Sequence, residues 1–206
     1  MFAVGHLSLA YLTAKICASP LKVKLNLPLI FLLGLIPDID LLIERVIPNL
    51  PHRGPLHSMI ILTIAFVPVF VIYKKISIPY FAALMQHILI GDFLTGGGIQ
   101  LFWPITQMWY GIGTPMASLT NILLEWFSFL MACAIMLATR DMHKLLKSHQ
   151  SNLLLLVPTL TVLLPSFFYF PLPVPLLLLI PHLVYLGLFV ASLLIFLKSS
   201  LKRSPK

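Results

Sequence analysis

The sequence predicts an all-α protein that crosses a membrane several times. Of its 206 residues, 59% are hydrophobic and 10% are charged, and the mean hydropathy is +1.00. Soluble domains carry roughly 25% charged residues, and a soluble core of this size cannot hide so much apolar surface. We therefore expect a single integral membrane domain over residues 1–206, built as a polytopic helical bundle of about six to seven membrane segments.

Seven apolar stretches approach or reach the roughly 20 residues that a spanning helix needs. The first is short and semi-polar, and the second is broken near its middle by Pro37, so either could be re-entrant rather than spanning. The last two are rich in leucine and proline and predict scaffold helices. The seven stretches are residues 2–19, 27–47, 56–73, 78–102, 117–139, 151–171 and 174–197.

The cations concentrate in every second loop, where the positive-inside rule expects cytoplasmic segments. This explains the formal net charge of +8, and no basic stripe with interleaved aromatics predicts nucleic-acid binding. The expected partners are the lipid bilayer and a lipid-accessible small molecule. With seven spans the N-terminus lies outside and the C-terminus in the cytoplasm. The clusters are Lys22 and Lys24; Lys74 and Lys75; Arg140, Lys144 and Lys147; and Lys198, Lys202, Arg203 and Lys206.

The first stretch ends in Cys17-Ala18-Ser19, which resembles a signal-peptide cleavage site. It lacks a basic leader, and His6 and Lys15 interrupt it, so we expect a retained helix.

Imidazoles and carboxylates interrupt the apolar background throughout residues 1–105. Each carboxylate near the bilayer centre costs about 2.5–3.5 kcal/mol when unpaired, and Arg53 is the nearest candidate cation. A bound divalent cation would compensate them. Nitrogen and oxygen ligands suit zinc first, with manganese or iron as alternatives, and the number of candidates allows one or two ions. The candidate ligands are His6, Asp38, Asp40, His52, His57, His87 and Asp92.

Pro37 affects the directions in which the two carboxylates after it point, because it can break the helix. In a broken segment Asp38 and Asp40 point the same way, whereas on a straight helix they lie about 200° apart. Alternatively, Asp38 caps a new helix after the break and leaves Asp40 as the ligand.

Residues 106–206 predict the helical scaffold half, with one polar stripe in it. Asn121, Glu125 and Ser128 share a helix face; this stripe either lines the same cavity as the ligands or makes ordinary hydrogen bonds. His182 is interpreted as an intramembrane histidine with a structural role, which makes hydrogen bonds inside the helical bundle. His143 and His149 are interpreted as loop residues.

Four elements of the first half resemble the motifs of the YdjM-like membrane-bound metal-dependent hydrolases. They are Gly5-His6, Pro37-Asp38-x-Asp40, His52-Arg53-Gly54-Pro55-x-His57-Ser58, and His87 to Asp92 followed by Thr95, Gly98, Trp103 and Pro104. The resemblance covers roughly residues 1–105. It implies an inner-membrane hydrolase with the seven candidate ligands in the matching motif positions, and it does not supply the substrate.

One departure from that pattern concerns His87 and Asp92, which are five residues apart. On a straight helix this spacing separates the two side chains by about 140°. Gly91 could permit a one-residue π-bulge that brings them together. Without it, one of the two lies outside the ligand set.

These features predict hydrolysis of a lipid-accessible substrate, with a phosphoester as the first class. Metal-bound water would be the nucleophile, Asp38 or Glu125 the general base, and Arg53 the group that neutralises developing charge. Arg53 could instead be a plain interfacial cation. A metal-binding scaffold or regulator without catalysis, and a small transporter, remain the alternative functions.

Overall fold

The computed structural model describes residues 1–47 and 52–203, apart from the side chains of residues 42, 45, 46 and 203, and this part of the chain is helical. Lys206 of the last predicted cation cluster lies outside these residues. Two isolated bridges, Thr95 with Thr114 and Ile99 with Tyr110, are the extended pairings described. The helices are α1 (Ala3–Leu21), α2 (Leu27–Leu33), α3 (Asp40–Val46), α4 (Met59–Tyr73), α5 (Ile78–Gln86), α6 (Leu119–Ala138), α7 (Asp141–Leu145), α8 (Leu156–Phe168) and α9 (Leu176–Arg203).

Four of the described helical stretches are long and apolar enough to cross a membrane. These are Met59–Ile76, Leu119–Ala138, Gln150–Phe168 and Leu176–Lys202. The all-helical membrane architecture is therefore as predicted, whereas span-length helices account for only four of the six to seven expected segments in the described chain.

The other three predicted stretches form shorter or more polar helices. Residues 27–47 break at Pro37, as predicted, because a 3-10 turn at Ile36–Ile39 separates α2 from α3. Residues 78–102 are helical only up to Leu94, and the chain leaves the helix at Thr95, ahead of the glycine run. This helical segment is therefore shorter than the apolar stretch that contains it.

The bundle has two chemically different ends. At one end, Phe2 of the N-terminal segment bonds Glu125 near the start of α6. At the other end, Tyr11 of α1 bonds Asp141, which follows α6. We call the first the site end, since it carries the histidines and carboxylates of residues 38–92. We call the second the lysine end, since it carries residues 20–24, 74–76 and 140–149.

Helix α1 lies in the middle of the bundle and packs on α5 and α6. Its residues Leu7, Ala10 and Ala14 have no exposed surface. α2 approaches α1 so closely at Gly34 that a Cβ there would lie 2.5 Å from the Ala10 Cβ. Only glycine allows this contact, and it places the Gly34 carbonyl at the site end.

Candidate metal centre

Two carboxylates enter the site end from the broken segment after Pro37. Asp38 belongs to the 3-10 turn and Asp40 begins α3. Asp38 Oδ1 lies 3.3 Å from His87 Nε2 and 3.6 Å from His57 Nε2. No side chain caps α3 at its N-terminus. The helix-capping alternative for Asp38 is therefore not what the structure shows.

Asp40 holds in place the loop that carries His52 and His57. Its Oδ1 lies 2.6 Å from His52 Nδ1, and its Oδ2 accepts a 3.0 Å hydrogen bond from the Arg53 backbone N–H. The same Oδ2 lies 2.9 Å from His57 Nδ1. A carboxylate behind an imidazole orients the ring and directs its other nitrogen forward, as is common around metal ligands.

His87 and Asp92 lie on a π-helical turn, His87–Asp92. This turn brings His87 Nε2 to 3.5 Å from Asp92 Oδ2, so the predicted π-bulge is confirmed. His87 Nδ1 lies 2.7 Å from the Gly34 carbonyl oxygen. Because a carbonyl only accepts, Nδ1 carries a proton, and Nε2 is the nitrogen that faces Asp92 and Asp38.

One ligand atom from each of Asp38, His57, His87 and Asp92 lies within 4.8 Å of the other three. The separations are 3.0 Å for His57 Nε2 to Asp92 Oδ2, with 3.3, 3.5 and 3.6 Å for the other three His–Asp pairs. Four ligands about 2.0–2.2 Å from one tetrahedral ion lie about 3.3–3.6 Å apart. The arrangement therefore fits a single cation.

Four polar atoms of this cluster are buried and lack a hydrogen-bond partner. His57 and His87 have no exposed surface, and Asp92 is 1% exposed. Both ring nitrogens of His57, His87 Nε2 and Asp92 Oδ2 have no aligned hydrogen-bond partner. Buried polar atoms are rarely left so. Since the atoms face each other, a divalent cation bound by nitrogen and oxygen would satisfy them together.

A second group of potential ligands overlaps the first. Asp38, Asp40, His52 and His57 also offer ligand atoms within 4.8 Å of one another. The two groups share Asp38 and His57. Six of the seven predicted ligands are thus brought into one of two adjoining groups.

His6, the seventh predicted ligand, lies beside these groups without belonging to either. Its ring stacks on His87 at 3.8 Å between centroids, and its Nε2 is 3.6 Å from Asp92 Oδ1. A Cβ on Gly91 would lie 2.3 Å from the His6 Cε1. Gly91 therefore makes room for the His6 ring.

Arg53, predicted to neutralise charge on a substrate, instead binds Asp92. Its Nη2 donates to Asp92 Oδ1 over 2.9 Å, and its Nη1 donates to the Thr95 carbonyl over 3.2 Å. A Cβ on Gly96 would lie 1.8 Å from Nη1. Oδ1 is thus held by Arg53, which leaves Oδ2 for the cluster. The sequence pattern gave no signal that Arg53 holds Asp92. Gly96, which makes room for the guanidinium, looks like any of three consecutive loop glycines.

Glu125, predicted as a general base, faces the start of α1. Its Oε1 accepts from the Phe2 backbone N–H at 2.8 Å and from Asn121 Nδ2 at 2.9 Å, and its Oε2 accepts from the Gly5 N–H at 3.2 Å. Its described contacts are with these groups rather than with the imidazoles. The polar stripe of α6 therefore anchors the segment that carries His6.

The remaining histidines lie apart from the cluster, as interpreted from the sequence. His182 Nδ1 bonds the Leu178 carbonyl at 2.8 Å inside α9. The interpretation as a loop residue is wrong for His143, which is exposed but belongs to α7. His149 lies in a loop, as interpreted, and bonds Ser151.

Comparison with known proteins extends the resemblance seen in the motifs. The family described as YdjM inner membrane protein matches residues 1–172, well beyond the 105 residues that the motifs cover. No curated protein and no solved structure matches. The match includes the broken segment, the His52–His57 loop, the π-helical turn and α6. The chain belongs to the YdjM inner membrane protein family.

Proposed function

We propose that this protein is a membrane-embedded, metal-dependent hydrolase of a lipid-accessible substrate. The observation that supports it most is the convergence of His57, His87, Asp38 and Asp92. The facing atoms of His57, His87 and Asp92 are buried and unsatisfied, which is costly for a protein that only needs stability.

His57 Nε2, His87 Nε2, Asp38 and Asp92 Oδ2 would hold the ion, with zinc preferred and manganese or iron as alternatives. A bound divalent ion supplies Lewis acidity and lowers the pKa of a water molecule toward neutrality. In a two-ion site the second group would hold the second ion; in a one-ion site His52 of that group would keep a nitrogen free for proton transfer.

Arg53 positions the ligand Asp92. By binding Oδ1, and by donating to the Thr95 carbonyl, it fixes the carboxylate plane with Oδ2 toward the imidazoles. Such outer contacts commonly change metal affinity by about 10- to 100-fold when removed.

His52 is the better candidate for proton transfer than Glu125. Its Nδ1 is paired with Asp40 at 2.6 Å, its side chain is 25% exposed, and its Nε2 has no partner among the described residues. A histidine held by a carboxylate with its second nitrogen open can accept and return a proton. Asp38, 21% exposed, remains the other candidate base.

The surroundings of Asp38 favour an amphiphilic substrate. Its neighbours Ile36 and Ile39 are 36% and 47% exposed, so apolar surface borders the most accessible carboxylate of the first group. Two adjoining ligand groups suit phosphoester chemistry in particular, because paired ions stabilise both the attacking and the leaving oxygen. A phosphoester is therefore the first substrate class to test.

The test is a hydrolysis screen of purified protein, stripped of metal and then loaded with zinc or manganese. Phospholipids, isoprenoid phosphates and acyl esters form the panel. We expect metal-dependent turnover of one class, and a loss of about 10²- to 10⁴-fold in His52→Gln. His143→Gln, on the exposed face of α7, is the matched control. If metal-loaded protein turns over no member of the panel, the metal-binding scaffold becomes the better account.

A further inference from the structure

A surface cleft of about 570 Å³ opens at the lysine end, far from the candidate metal centre. It lies where the end of α1 and the chain after it meet the turn that follows α4. Its volume is in the range of small-ligand sites. We call it the lysine cleft; its lining residues are Pro20, Leu21, Lys22, Val23, Lys24, Lys75 and Ile76.

The cationic character of the cleft is uncompensated within the described chain. Lys22, Lys24 and Lys75 are exposed and form no ion pair with any described residue. Only six acidic residues occur in the sequence. Asp141 is the one in the loops of the lysine end, and both its oxygens are already bound by Lys15 and Lys144. Three positive charges therefore surround a cavity with no protein anion.

The backbone helps to gather these charges. Lys22 adopts a left-handed conformation at φ 54°, and its N–H closes the end of α1 on the Ala18 and Ser19 carbonyls. The chain turns sharply there and exposes Lys22 and Lys24 beside Lys75 rather than continuing the helix. The carbonyl end of α1 offsets part of the charge, but it supplies no counter-ion.

One edge of the cleft is apolar and continues into the lipid-facing surface. Ile76 lines the cleft and is 49% exposed, and Val71 and Ile72 before it on α4 are 65% and 69% exposed. Only 6% of the Met59–Ile76 span is buried inside the protein. A ligand in the cleft would thus have cations around its polar part and aliphatic surface beside its tail.

We propose that the lysine cleft binds the headgroup of an anionic phospholipid, with its acyl chains along α4. Basic pockets at the cationic side of membrane proteins recognise anionic headgroups through such charges. A free phosphate would use the lysines but would gain nothing from Val71, Ile72 and Ile76, so the apolar edge favours the lipid.

The test uses the full chain in nanodiscs of phosphatidylcholine that contain phosphatidylglycerol, with retained lipids counted by native mass spectrometry. We expect wild-type protein to retain phosphatidylglycerol over phosphatidylcholine, and retention to fall as salt rises. The triple variant Lys22→Gln, Lys24→Gln, Lys75→Gln should lose about tenfold or more of that retention. Replacing the same three lysines by Arg should preserve it.

The matched control removes three other lysines from the same end: Lys147→Gln, Lys198→Gln, Lys202→Gln. It should keep the retention of wild type. Equal losses in both triple variants would show diffuse attraction and overturn the proposal, as would retention that is insensitive to both. Displacement of the lipid by inorganic phosphate at equal affinity would contradict the lipid assignment. Because no cleft residue touches the candidate metal centre, metal content should be unchanged throughout.

Discussion

The buried carboxylates at the two ends of the bundle differ in their hydrogen bonding. At the lysine end, Asp141 accepts hydrogen bonds from four donors: Lys144 at 2.7 Å, Thr139 at 2.8 Å, Tyr11 at 2.9 Å, and Lys15. At the site end, Asp38 Oδ1 and Asp92 Oδ2 face imidazole nitrogens at 3.0–3.6 Å, and Asp92 Oδ2 has no aligned hydrogen bond. The carboxylate at the lysine end is satisfied by protein donors, whereas the site end presents carboxylate and imidazole atoms to a common point.

Glu125 shows a third arrangement, with two backbone N–H groups and an amide as its donors. The chain therefore can satisfy buried carboxylates when stability is the only requirement. Among the described buried carboxylates, Asp92 at the site end has an oxygen, Oδ2, without a hydrogen-bond partner, and this oxygen faces His57 Nε2 and His87 Nε2. This arrangement supports a ligand-binding function there.

The largest expected effect is loss of metal from the site end. His57→Ala removes an atom from both ligand groups, so we expect metal affinity to fall by more than about 100-fold. Elemental analysis of the purified protein measures it. His182→Ala is the control, because His182 is equally buried and bonds only within α9. Full metal content in His57→Ala would show that the loop has been misassigned.

The next largest expected effect tests whether Arg53 positions the metal ligand Asp92. Gly96→Ala places a Cβ 1.8 Å from Arg53 Nη1 at a residue with φ +89°, so it should displace the guanidinium from Asp92. We expect about 10- to 100-fold weaker metal binding, measured by competition with a chelator. Gly97→Ala is the adjacent control, since nothing lies within 4 Å of its added Cβ. Equal affinity in the two variants would separate Arg53 from the metal centre.

Much of the site end was predictable because its signals are local. The five-residue spacing of His87 and Asp92 with Gly91 between them predicted the π-turn, and Pro37 predicted the break before Asp40. Contacts between residues far apart in the sequence could not be predicted from local patterns. Glu125 bonds Phe2 across 123 positions, and periodicity shows only that Glu125 shares a face with Asn121. The span count rests on hydropathy alone, which does not tell a helix buried in protein, such as α1, from one that faces lipid; four of the six to seven expected segments are span-length helices in the described chain.

A smaller effect tests Glu125 as an anchor rather than a base. Glu125→Gln replaces one acceptor oxygen by a donor, which leaves a backbone N–H without a partner. We expect a loss of about 1–3 kcal/mol in stability, measured by thermal unfolding in detergent. Turnover per metal-loaded molecule should stay within about twofold. A loss near 10²-fold or greater would restore Glu125 as the general base.

The smallest expected effect concerns the complete centre at the lysine end. Burial alone would raise the pKa of Asp141, but hydrogen bonds from Lys144, Lys15, Thr139 and Tyr11 outweigh it and lower the pKa from 3.8 to about 2. This stabilisation is present above the unfolded value and is lost as the pH falls through about 2.

Metal-free wild type should therefore lose stability on acidification to a greater extent than metal-free Asp141→Asn. The variant should start about 1–2 kcal/mol lower near neutral pH. Unfolding transitions recorded along an acid series compare the two. Parallel profiles would show that Asp141 does not contribute the acid-sensitive stability, and reduced metal affinity in the variant would contradict the independence of the two ends.

X-ray absorption spectroscopy of the zinc-loaded protein tests the central claim most directly. The convergence of His57, His87, Asp38 and Asp92 predicts a first shell of nitrogen and oxygen about 2.0–2.2 Å from zinc, with imidazole scattering beyond it and no sulfur. That imidazole scattering should fall in His57→Ala. A zinc ion without imidazole ligands, or a protein that binds no zinc or manganese at equilibrium, would contradict a metal centre at the site end.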